Sequence, residues 1–184
     1  MWRLACITRN VAVVLIGVFL ASAVVFAVGE AMDSPGGWRG VLLAVAWLAP
    51  MGALLVFAWR RPSRASVLLW VLIGMSVAVD AWASMWSDTA HSLEDGAGPV
   101  RAVIMFALAG AVLPLVAHLW RQAGVMLTVL GGAPVLFAAL LGDVGSEPLL
   151  VAAVPTLVAG LLLLIAHAVG MRAVTHSAKA PPST

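Results

Sequence analysis

Residues 40–86 read GVLLAVAWLAPMGALLVFAWRRPSRASVLLWVLIGMSVAVDAWASMW, and this stretch decides the fold. Two apolar runs, 40–59 and 66–86, flank one basic turn, Arg60-Arg61-Pro62-Ser63-Arg64. Each run is close to the ~20 residues a helix needs to cross a hydrocarbon layer about 30 Å thick. Helices are forced there, because lipid offers no hydrogen-bond partner to exposed backbone. A transmembrane barrel would need alternating segments of about ten residues, and none is present. Arginines between two such runs mark the place where the chain turns at a cytoplasmic face.

Working outward, four more apolar runs occupy 11–29, 102–120, 124–142 and 148–170. The expectation is an all-α polytopic membrane protein, a six-transmembrane-helix bundle spanning residues 1–172. The stretch 87–100 reads as its longest loop, too short to build a core of its own. Residues 173–184 read as a disordered cytoplasmic tail ending in Pro181-Pro182-Ser183-Thr184. Near the start, Ala21-Ser22-Ala23 has the small-x-small form of a signal-peptide cleavage site. The apolar run continues past it through Val24-Val25-Phe26-Ala27-Val28-Gly29, so an uncleaved first helix is expected.

Charge sets the orientation. Glu30, Asp33, Asp88, Glu94, Asp95, Asp143 and Glu147 fall in one set of loops. Arg3, Arg9, Arg60, Arg61, Arg64, Arg121, Arg172 and Lys179 fall in the other, with only Arg39 and Arg101 among the acids. Positive charge stays inside, so both termini are expected in the cytoplasm. Trp2, Trp59 and Trp120 would mark the inner interface, Trp38 and Trp86 the outer one.

Composition agrees. The hydrophobic fraction is 63%, against about 45–50% in a soluble domain. The net charge of +2 comes from short clusters at helix ends, so it implies no nucleic-acid partner. A single cysteine, Cys6, excludes an internal disulfide and reads as an inert thiol. Scarce lysine beside abundant alanine and valine points to a bacterial inner membrane.

Asp80 is the one acidic residue inside an apolar run. A carboxylate at a helix centre is disfavoured by about 2.5–3.5 kcal/mol, and less toward the membrane edge. Ser76 and Ser84 flank it at four-residue spacing, which puts all three on one helix face turned toward the bundle. Arg101, at the outer end of the fourth run, is the available counter-charge. Two roles fit: an ion or ligand site, or a structural tie holding helices in register.

Other candidates are weaker. His118 and His167, near the inner ends of the fourth and sixth runs, could pair as metal or haem ligands. Interfacial histidines are the more ordinary reading, so no metal and no cofactor is expected. His91, with Met85 and Asp88, is too sparse a set for a copper site. Pro50 followed by Gly52, and Gly131-Gly132-Ala133-Pro134, fall at the middles of the second and fifth runs. Pro50, Gly132 and Pro134 are therefore expected to kink those helices. Paired interruptions also occur at midplane sites of transporters built from inverted repeats. Small residues four apart (Gly17/Ala21, Ala23/Ala27, Ala107/Ala111, Ala166/Gly170) suit close helix packing.

No zinc-protease helix, nucleophile with a nearby histidine, or phosphate-binding glycine loop occurs. The sequence therefore points to a membrane protein without intrinsic catalysis. Its expected role is an accessory or assembly subunit, packing in the lipid bilayer against other membrane proteins or its own copies. The alternative is a transporter or ligand-binding component for a lipophilic solute or small cation, organised around Asp80 and the kinked second and fifth runs.

Overall fold

The computed structural model describes residues 2–33, 37–85, 87–141 and 147–178. Five helices make up these residues: α1 (Trp2–Asp33), α2 (Gly37–Arg60), α3 (Pro62–Met85), α4 (Ser87–Leu141) and α5 (Glu147–Ala178). No strand occurs among the described residues. Gly37 opens α2 at φ +57°, a backbone conformation that glycine adopts without a steric penalty. Arg61 alone separates α2 from α3. Its N–H donates to the Phe57 carbonyl and its carbonyl accepts from the Ala65 N–H, both at 2.9 Å, so the linking residue leaves neither group unpaired.

Four helical segments are long and apolar enough to cross a membrane: Gly37–Arg60, Pro62–Trp82, Val103–Leu140 and Leu150–Met171. In α1 the described apolar stretch, Cys6–Ser22, is shorter. The helices are apolar on their outer faces as well as inside. Val25, Leu140 and Val67 are 73%, 71% and 66% exposed, which suits a surface solvated by lipid and not by water. The protein is membrane-embedded by this criterion.

The segment Val103–Leu140 is 38 residues long, about 57 Å at 1.5 Å per residue and nearly twice the hydrocarbon thickness. It does not run straight. Leu119 has φ −136° and ψ 46°, outside helical values, and breaks α4 into two halves. Leu108 and Leu130 line one and the same cavity, whereas 22 residues of straight helix would hold them about 33 Å apart. The two halves therefore lie side by side, and α4 is a helical hairpin.

That hairpin is the centre of the molecule. Met105, Leu108, Val112 and Leu115 from its first half meet Ala123, Met126, Leu127 and Leu130 from its second in the buried cluster. Ala12 and Ile16 of α1, Leu69 and Ile73 of α3, and Ala152, Ala153, Ala159 and Leu163 of α5 complete it. Phe19 of α1 stacks on Phe106 of α4, with ring centroids 5.7 Å apart and planes 10° from parallel. Among the described side chains of α2 none enters this cluster; Leu54 packs against its edge.

Two stretches differ from the sequence reading. Residues 87–100 are not a loop but the first turns of α4. At the other end α5 continues to Ala178, into the stretch read as tail.

Candidate functional site

The stripe of α3 that carries Asp80 begins in the core. Leu69 and Ile73 are fully buried, and Ser76 and Asp80 follow them at helical spacing along the same face. Where the stripe leaves the core, a cleft of about 240 Å³ opens between α3 and the α4 hairpin. Leu72, Met75, Ser76, Val79 and Asp80 form one wall, and Ile104, Met105, Leu108 and Leu130 the other. Asp80 lies five residues before the end of α3, about 7.5 Å along the axis, and Leu72 eight residues deeper. The cleft thus runs from near one end of α3 to near its middle, with its carboxylate at the outer end. Its rim is open: Met75 and Val79 are mostly exposed, and Ile104 is exposed as well.

The structure brings Ser76 and Asp80 together in this cleft. The side chains of Ser84 and Arg101 lie outside the described residues, as do those of His91 and Asp88. His118 is exposed beside the α4 break, while His167 is turned inward, its ring edge-on to Trp120 at 5.6 Å and 81°. The Nδ1 atom of His167 is buried with no hydrogen-bond partner. No group of three or more histidine, cysteine or acidic side chains suited to a metal ion occurs among the described residues.

The residues read as kinks take different surroundings. Pro50 and Gly52 lie on the uncovered side of α2, and a methyl group added at Gly52 would touch nothing within 4 Å. Pro134 is buried, and Gly132 lies against Leu157 of α5. Its neighbour Gly131 does something the sequence did not announce. A methyl group there would fall 2.6 Å from the Ala153 carbonyl oxygen and clash with the Leu157 backbone. A methyl at Gly160 would fall 2.5 Å from the Thr128 backbone nitrogen. Gly131 and Gly160 therefore mark where the second half of α4 and α5 touch backbone to backbone, antiparallel. None of the four-residue stripes named earlier includes either glycine, since the pair is contributed by two helices.

Hydroxyls that could have lined a polar pathway are used locally. Ser22 donates to the Val18 carbonyl at 3.0 Å, Thr128 to Gly124 at 2.8 Å and Thr156 to Ala152 at 2.8 Å, each within its own helix. One hydrogen bond that sequence reasoning missed joins helices: buried Ser66 of α3 donates to Oε1 of Gln122 at 3.0 Å, just past the α4 break. Nothing in the spacing of positions 66 and 122 signals it. No family model, no curated protein and no solved structure matches this chain.

Proposed function

We propose that the chain crosses a bacterial inner membrane six times, with both termini in the cytoplasm, and acts there as a non-catalytic accessory or assembly subunit. The hairpin at Leu119 supports the count, because it makes two passes of the longest apolar segment. The segregation of arginine from acidic residues supports the orientation.

One observation carries the subunit reading: the outer face of α2. Gly40, Ala44 and Ala58 are its buried residues among those described, a narrow inward line. The opposite side presents Ala46, Ala49, Pro50, Gly52 and Ala53, all exposed. Bulky Leu42, Val45 and Val56 are exposed on either side of this small-residue stretch, so the small surface is confined to the middle of α2. Lipid covers either kind of surface, but small residues let a second helix backbone approach closely and gain dispersion contacts that fluid chains do not match. A photo-crosslinking side chain placed at Ala49 in the native host tests this. A discrete protein adduct, stoichiometric in intact membranes, is expected; its mass tells a second copy from another subunit. Adducts with lipid alone would contradict the reading.

A second reading, a ligand-binding membrane component, is favoured by the Asp80 cleft. The hydroxyl bonding within single helices argues against a polar conduit for hydrophilic solutes. Any ligand reaches the cleft from the lipid side, past Met75, Val79 and Ile104.

A further inference from the structure

Arginines gather at one end of the bundle. Arg60, Arg61 and Arg64 lie at the junction of α2 and α3, and all are exposed. The 3.0 Å hydrogen bond from Ser66 to Gln122 brings the α4 break to the same end, and exposed Arg121 with it. The chain around them is free of acids. Residues 34–79 and 96–142, which contain these arginines, include no aspartate or glutamate. Asp80 is sixteen residues from Arg64, about 24 Å along α3. The remaining acids, at 30–33, 88–95 and 143–147, are more than twenty residues of chain away from any of these arginines. Among the described residues none of these arginines forms an ion pair. This end of the molecule therefore carries a positive field that attracts anions.

A groove leads from this charge along α2. Gly52, Ala53, Val56, Phe57, Arg60 and Arg61 line it, around about 570 Å³ of space. Positions 52, 53, 56, 57 and 60 recur at three- and four-residue spacing, so they share one helix face. Gly52, eight residues from Arg60, is about 12 Å deeper along the axis. A methyl group added there would meet nothing within 4 Å. The face is thus charged at the helix end and apolar over the two turns that follow. Trp59, 73% exposed, marks headgroup depth beside the arginines. We propose that this groove binds an anionic glycerophospholipid, its phosphate held by Arg60 and Arg61 and one acyl chain lying along Phe57, Val56 and Ala53 to Gly52. The planar guanidinium fork matches phosphate oxygens two at a time. Basic pockets between membrane helices take anionic headgroups in this way. A zwitterionic lipid would bring its ammonium against the arginines, and a free phosphate would leave the apolar length of the groove unused. The inference goes beyond the subunit reading and requires no particular orientation in the membrane. Ala49 lies farther from the arginine end, so the lipid leaves it open to a partner helix.

Native mass spectrometry of the purified full-length protein in detergent tests it, with titration by phosphatidylglycerol or by phosphatidylethanolamine of the same chains. Phosphatidylglycerol is expected to stay bound at concentrations where phosphatidylethanolamine is lost. Neutralising both headgroup contacts, Arg60→Gln with Arg61→Gln, should weaken retention by at least about tenfold. Arg39→Gln, at the far end of α2, should not. Ala53→Trp fills the groove and keeps every arginine. It should weaken retention to a similar degree, and because position 53 is exposed the thermal midpoint should hold. Equal retention of the two lipids, or an equal loss in Arg39→Gln, would overturn the proposal. So would unchanged retention in Ala53→Trp, or displacement of the lipid by equimolar inorganic phosphate, since either reduces the site to a surface anion contact. A lipid-free dimer abolished by Ala53→Trp would put a second copy in the groove and overturn it as well.

Discussion

At Gly160 one added methyl group would meet the backbone of the neighbouring helix. Such overpacking destabilises by about 1–3 kcal/mol when neither backbone can retreat. Gly160→Ala should therefore lower the thermal midpoint in detergent clearly, whereas Gly52→Ala, with open space around it, should leave it nearly unchanged. Equal effects of the two would remove the helix crossing from the account. Ser66→Ala deletes the bond to Gln122. Hydrogen bonds between membrane helices average about 0.6 kcal/mol, so a small loss of stability is expected in the same assay. At this scale the sequence was informative where chemistry is intrinsic to the residue type and silent where a partner is needed. Asp80 stood out because a carboxylate in an apolar run is disfavoured whatever surrounds it. The roles of Gly131, Gly160 and Gln122 depend on which helix comes near, and no local pattern carries that information.

Helices as units were legible because lipid allows few alternatives. The runs 40–59, 66–86 and 148–170 sit within or close to α2 (Gly37–Arg60), α3 (Pro62–Met85) and α5 (Glu147–Ala178). Boundaries were less so. Apolar content marks where a helix meets lipid and says nothing of polar turns beyond it, so 87–100 passed for a loop although α4 begins at Ser87. The break at Leu119 lacks a glycine or proline at the breaking residue, and its neighbour Arg121 is the nearest sequence sign of a turn. The hairpin predicts a definite proximity. In a Cys6→Ser background, cysteines replacing Leu108 and Leu130 should be joined by a short bis-maleimide. A straight α4 would keep them about 33 Å apart and prevent the link.

For the whole molecule, the decisive property is an apolar exterior on every helix, with the hairpin of α4 holding α1, α3 and α5 together and α2 at the edge. Stability should accordingly depend on a lipid or detergent solvent, and transfer to plain buffer should give aggregates in size-exclusion chromatography. The proposed topology is six crossings with both ends on the side that holds the Arg60–Arg64 turn. Cysteine labelling tests this most directly. Single cysteines at Ser63, Ser92 and Ser177, each in a Cys6→Ser background, are probed in intact cells with a membrane-impermeant maleimide. Reaction at Ser92 alone, with Ser63 and Ser177 reacting only after the membrane is opened, is the expected result. Labelling of Ser63 or Ser177 from outside, or protection of Ser92, would contradict it.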